Sequence, residues 1–247
     1  MAQSRASATG DVDGVSVVGG LVGLTDFDDT IEDSSATGNV TGDFEVGGLI
    51  GENNDGDIEE SYATGDVTGD EFVGGLVGDN AGEIENSYAT GDVTGDFERV
   101  GGLVGDNAGK IADSYATGDV DGNERVGGLV GENFAGTIED SYTTGDVDGG
   151  EDVGGLVGEN SADEADIANT YWDDEAATVT EGDEEQDGQG IGDGDGDVTA
   201  LTTSEMTGAN AIDNMDGFEF PEDGEDGTWH ITDTPRSPGK TPIPSTK

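Results

Sequence analysis

Six letters recur along this chain at a nearly fixed interval, and that interval restricts the fold more than any other feature. Val73-Gly74-Gly75-Leu76-Val77-Gly78 reads VGGLVG, and near copies begin at Val18, Val46, Val100, Val126 and Val153. Gly19, Gly47, Gly74, Gly101, Gly127 and Gly154 are separated by 28, 27, 27, 26 and 27 residues. A second marker, Gly10, Gly38, Gly65, Gly91, Gly118 and Gly145, keeps the same period. Fixed self-similarity at this length signals stacked units, and it falls short of the roughly 40 residues of a four-stranded propeller blade. No helical periodicity accompanies it, so helical repeats are excluded. VGGLVG is apolar at odd and even positions alike, whereas a half-buried strand alternates apolar with polar. The expectation is one strand whose first parity lines a core. Its second parity would leave an apolar stripe along the rod, covered in part by residues 198–231.

The unit contains three extended pieces: VGGLVG, an Ile-containing piece running into SYATG, and the Val of GDVTG. Between them lie Asn80, Gly82, Gly91, Asp92, Gly95 and Asp96, turn residues that include the types most tolerant of left-handed backbone angles. Three strands per coil, stacked on copies of themselves, predict an all-β protein: a parallel β-helix of about six 27-residue coils and roughly 30 Å of rod. Stacking predicts ladders of like residues. Ile31, Ile58, Ile84, Ile111, Ile138 and Ile167 form one, and Val67, Val93, Val120 and Val147 another. Asn53, Asn80, Asn107, Asn133 and Asn160 form a corner stack whose amides bond along the ladder.

Tyr62, Tyr88, Tyr115, Tyr142 and Tyr171 share one position. Strict alternation from each Ile would bury Tyr, but also Glu60, Asn86, Asp113 and Asp140, which burial penalises. Either a bend separates Ile from Tyr, or Ser and Ala face inward and Tyr outward. Facing outward, the rings make an aromatic strip that fits a sugar or a protein partner.

The chain carries 59 acidic and seven basic residues, a formal charge of −52. The acids are spread through every repeat among regular Val, Leu, Ile and Tyr, unlike a disordered acidic tail. An acidic surface on all sides holds hydrated cations and repels itself at low salt, as in a halophile's protein. It also repels a DNA duplex, so nucleic acid is excluded as a partner. There is no Cys, hence no disulfide and no thiolate metal site. No segment reads as a membrane helix or signal peptide. The chain is inside repeat chemistry by Ser7-Ala8-Thr9-Gly10, which reads as a piece of a longer protein.

Catalytic chemistry finds little support. His230 is the sole histidine, with no His-Glu-x-x-His and no nucleophile elbow. Among 59 acids some pair always lies at a glycosidase-like separation, so pairing alone carries no information. Asp193, Asp195 and Asp197 resemble the start of a calcium loop. Val198 and Ser204, however, stand where that loop needs Gly and Glu, so the expectation is no cofactor beyond loosely held Ca2+ or other cations. Asn39-Val40-Thr41 is a single glycosylation sequon.

Six units across residues 6 to 172 resemble the GLUG motif, named for its Gly-Leu-x-Gly core. The ending, Asn169-Thr170-Tyr171-Trp172-Asp173 followed by Leu201-Thr202-Thr203-Ser204-Glu205-Met206, is similar to the close of such arrays. The resemblance implies a secreted or surface protein of bacteria or archaea, adhesin-like and haloarchaeal in its acidity. Some relatives are noncatalytic parts of immunoglobulin-cleaving peptidases. Composition shifts divide the chain into a solenoid at 1–172, an acidic Gly-rich loop at 173–197, a capping segment at 198–231 and a Pro-rich tail at 232–247. Thr202 and Glu205 fit a capping box. Met206, Ala209, Ile212 and Met215 follow at helical spacing. The expected function is a non-enzymatic extracellular or cell-surface structural or adhesive module, with a protein or glycan partner. The alternatives are a carbohydrate-binding or carbohydrate-active β-helix and a self-associating filament subunit.

Overall fold

The computed structural model describes residues 5–27, 29–161, 167–175, 178–182, 184–185, 189–206 and 214–215. Their strands wind into a parallel β-solenoid of about seven turns. A representative coil holds five short strands, Glu71–Gly74, Val77–Asn80, Glu83–Glu85, Tyr88–Ala89 and Val93–Gly95. Each pairs in register with its counterpart in the next coil: Val73↔Val100, Val77↔Val104, Ile84↔Ile111, Tyr88↔Tyr115 and Val93↔Val120. The expected three strands become five because two of the extended pieces break.

VGGLVG is the first of these. Val73, Leu76 and Val77 are all fully buried, so the apolar stripe expected on its second parity does not exist. The chain turns between Gly74 and Val77, and the inward parity changes at the turn. Backbone crosses backbone there. A Cβ on Gly74 would overlap the Val77 carbonyl oxygen, and one on Gly75 would overlap the Gly102 carbonyl and lie 2.9 Å from Ala89 Cβ. These glycines are needed for closeness, since no left-handed φ occurs at them.

The Gly75–Ala89 approach pinches each coil. On one side Leu76, Val77 and Ile84 join the Leu and Ile core; on the other Val73 and Val93 join a core built almost wholly of Val. At the C-terminal end Trp172 takes the Ala position, packs on Gly155 and joins the Val core.

The second break lies between Ile and Tyr. Glu60, Asn86, Asp113, Asp140 and Asn169 have φ between 47° and 51°, so left-handed backbone falls on these residues rather than on the turn residues expected from sequence. Each costs about 1–2 kcal/mol outside Gly and Asn. The serine that follows compensates. Ser61 is buried, its N–H donates to Ser87 Oγ at 3.1 Å, and its hydroxyl donates to the Glu59 carbonyl at 2.8 Å. The kink turns Ser and Ala inward, so Tyr faces out of the coil.

The Asn corner closes as a continuous chain. Thr25 Oγ1 donates to Asn53, and each amide donates to the next Asn oxygen at 2.8, 2.9, 2.9 and 3.0 Å as far as Asn160, which donates to the Asp195 carbonyl. Every member is buried.

The solenoid extends past residue 172. Within the stretch expected as a loop, Val179–Glu181 and Ile191–Gly194 add another rung to two ladders. Val179 fills the Val ladder, which supplies the apolar register that the surrounding acids hide. Val198–Leu201 pairs with Thr170–Asp173. After it, Thr202 N–H and hydroxyl both donate to the Glu205 carboxylate, at 2.9 and 2.8 Å. Ala209, Ile212, His230 and the Pro-rich tail lie outside the described residues.

Gly102→Ala tests the crossing. A Cβ there meets the Gly128 carbonyl oxygen, and the expected loss is more than about 3 kcal/mol. Gly10→Ala, with nothing within 4 Å of its Cβ, stays within about 0.5 kcal/mol of wild type. Denaturant melts of the two variants in molar salt read the difference.

Candidate functional site

The five tyrosines do come together. Tyr62, Tyr88, Tyr115 and Tyr142 stack with ring centroids 4.9 to 5.0 Å apart and interplanar angles of 3° to 7°. This spacing is the inter-strand distance of a sheet. Rings stacked this way turn their faces toward one another, so the strip shows the surroundings ring edges and hydroxyls. Leu201, Met206 and Met215 pack over Tyr115, Tyr142 and Tyr171 and bury all three. The C-terminal segment therefore covers the Tyr ladder, while its Val198 packs against both the Leu and Ile core and the Val core. Tyr62 and Tyr88 remain half-buried. Burial, then the neighbouring Tyr62, pushes the Tyr88 phenol up to about 12.

Asp193, Asp195 and Asp197 are exposed. The Asp195 and Asp197 carbonyls accept bonds from the Asn160 amide and, at 3.3 Å, the Thr170 hydroxyl. Among the described residues no group of three or more His, Cys, Asp or Glu is arranged to hold a metal ion.

A charged face was missed by sequence reasoning. Glu52, Asp79, Asp106, Glu132, Glu159 and Asp193 stand in register up one flank. Beside them runs a column of left-handed residues, Glu45, Phe72, Arg99, Arg125 and Asp152. Arg99 Nε lies 2.5 Å from Glu132 and 3.3 Å from Asp106, with its guanidinium 4.6 Å above the Phe72 ring. Arg125 pairs with Glu98 and Glu159. The acid two residues after GLI or GLV in the five coils from Glu52 to Glu159 and the ERV of two coils were visible in the sequence. Their adjacency was not, because it depends on the turn within VGGLVG.

The arginines divide the ladder electrostatically. Burial pushes Asp106 up to about 7, aided by the charges of Glu132 and Asp79 and opposed by Arg99 and Arg125. Burial also pushes on Glu132, but bonds from Ser161 and Arg99 and both arginine charges outweigh it, leaving that carboxyl below its ordinary value. Lower on the rod Asp79 and Glu45 are raised, first by burial and next by Glu52.

A second acid ladder has a plain structural use. Asp66, Asp92 and Asp119 each accept a backbone N–H from the next coil, at 3.2, 3.0 and 3.0 Å. Asn39 of the sequon holds the equivalent place and accepts the Asp66 N–H at 3.1 Å.

Asp106 gives a signed pH prediction. Its pKa is raised from 3.8 to about 7 in the folded chain, so its contribution to stability falls as pH rises through that interval. Glu132 has the opposite sign, acting only as pH falls through and below 4.5. Between these values wild type gains stability on acidification. Asp106→Asn is expected to be more stable at pH 8 by about 1–2 kcal/mol and to melt with a flatter pH profile. Parallel profiles for the two proteins would remove Asp106 from this account.

The GLUG motif model matches residues 14–41, 42–68, 73–94, 98–121 and 122–148, more than half of the chain. No curated protein and no solved structure matches it. The matched units are the coils just described, with the Gly-Leu core at the backbone crossing. The chain belongs to the GLUG-motif family of repeat proteins.

Proposed function

We propose that this chain is a non-enzymatic structural or adhesive module of a secreted or cell-surface protein, acidic for work at high salt. The observation that carries the reading is the arrangement of its acids. From Glu52 to Asp193 they stand in one column, one carboxylate per coil, at the strand spacing of about 4.8 Å. Like charges that close cost stability unless counter-ions screen them. Arg99 and Arg125 of the neighbouring column pair with Glu132 and Glu159 and relieve that column only in part. A rod that accepts such repulsion throughout suits surroundings rich in cations, and its outward ladders suit repeated weak contacts with a protein or glycan partner. Among the described residues no helix is long and apolar enough to cross a membrane.

Salt dependence tests this. The melting temperature is expected to rise by more than about 10 °C between low-salt buffer and molar KCl, the shift of a few kcal/mol in a chain of this size. Equal melting temperatures in the two buffers would sink the high-salt reading. Binding to a glycan array lost on Tyr62→Ala would move the assignment to the carbohydrate-binding alternative.

A further inference from the structure

One rung of an acid ladder carries an amide. Asp11, Asp66, Asp92, Asp119 and Asp146 hold the same position in their coils, and Asn39 holds it in the coil between the first two. The position has one structural duty, to accept a backbone N–H from the next coil. Asp11 accepts that of Asn39 at 3.0 Å, Asp66 that of Asp92 at 3.2 Å, and Asp146 that of Thr178 at 2.7 Å. Asn39 performs it equally well, its Oδ1 accepting the Asp66 N–H at 3.1 Å. One oxygen suffices, so the Asn39 Nδ2 group is left over. It makes no hydrogen bond among the described residues.

That nitrogen lies in the chain's one Asn-x-Thr sequon, Asn39-Val40-Thr41. Asn39 and Thr41 are both exposed, whereas Val40 between them is buried. Strand alternation thus turns the two side chains of the sequon outward together. Asp11 and Asp66, on the rungs to either side of Asn39, are exposed as well. Thr41 pairs in register with Thr68, and Thr68 with Thr94, whereas Asp13, Asp121 and Asp148 stand at this place in other coils. The Thr therefore belongs to the repeat, and an amide in place of a carboxylate at 39 is all that completes the sequon. A sugar on Nδ2 takes the place of one amide hydrogen and leaves Oδ1 untouched, so the bond from Asp66 survives it. Asp at this rung keeps the ladder but has no nitrogen to modify.

We propose that Asn39 carries an N-linked oligosaccharide on this outward rung. The proposal rests on the secreted or cell-surface reading above, since this modification belongs to exported chains. The donor is an oligosaccharide held through its anomeric carbon on a lipid phosphate. The bond from that carbon to the phosphate oxygen breaks, its bond to Asn39 Nδ2 forms, the amide gives up one proton and the lipid phosphate leaves. In the folded coil the strand is paired on both sides: Val40 N–H donates to the Asp66 carbonyl and Val12 N–H to the Asn39 carbonyl, each at 2.9 Å. Transfer therefore precedes closure of the coil, and the fold then holds the sugar on its surface, where it adds bulk and solubility.

Mass spectrometry of the full chain, recovered from the cytoplasmic and exported fractions of its own cells, tests this. Cleavage after acidic residues releases the peptide 34–43, which contains Asn39 and no acid before its last residue. In exported protein this peptide is expected to carry an oligosaccharide. Asn39→Asp restores the residue of the other coils and keeps the ladder oxygen; Thr41→Asp places there the residue of Asp13, Asp121 and Asp148. Each is expected to lose the sugar, with an unchanged circular dichroism spectrum. Asp66→Asn, followed by Thr68, is expected to gain a second oligosaccharide on the peptide 61–70, and Asp119→Asn, followed by Asp121, to gain none. Exported protein with an unmodified 34–43 peptide, or a sugar that persists in either Asn39→Asp or Thr41→Asp, would overturn the proposal and leave the surface reading standing. A chain confined to the cytoplasm would overturn both.

Discussion

The structure depends on the crossing of backbones at the Gly-Gly-Leu turn. A glycine pair there lets one coil lie against the carbonyls of the next with no side chain between them. Two consequences follow at once. The chain changes direction within two residues, so Val73, Leu76 and Val77 all reach the interior. The coil is also pinched against Ala89, which divides the interior into a Leu and Ile core and a Val core. Each core is narrow enough for one side chain per position per coil. This is why identical residues recur and why stacking is the dominant contact.

Stacking also fixes what the exterior does. In-register parallel pairing puts every like residue about 4.8 Å from its copies. For Asn that spacing completes a buried amide chain. For Tyr it makes a column of rings that the C-terminal Leu201, Met206 and Met215 cover in part. For acids it multiplies repulsion. Asp66, Asp92 and Asp119 offset this by accepting backbone N–H groups, and Glu132 by its arginines. Asp106 is buried as well as repelled by Glu132 and Asp79, Arg99 and Arg125 do not outweigh this, and its proton affinity rises. The same geometry therefore supplies the core's order and the surface's dependence on salt.

Much of this was legible in the sequence. The period, the Ile, Val and Asn ladders and the common position of the tyrosines follow from counting, because a parallel solenoid turns equal spacing into contact. Three things were not legible. Left-handed backbone at Glu60 and Arg99 has no glycine to announce it. Val179 and Ile191 rejoin the ladders from within an acidic, Gly-rich stretch that hides their register. The charged face of Asp106, Glu132, Arg99 and Arg125 unites residues from two sides of a turn that sequence periodicity reads as one strand.

The sequence by itself determined that the chain is a stack of equal coils, which residues form each ladder, and that its surface is acidic. Repetition and composition carry that information without coordinates. Only the tertiary structure decided where the chain bends within each coil, and hence which side chains face inward and which columns stand next to one another. The physical reason is that those bends rest on backbone approach and on left-handed residues stabilised by a neighbouring coil's serine. Both are contacts between coils, so neither exists within a single repeat.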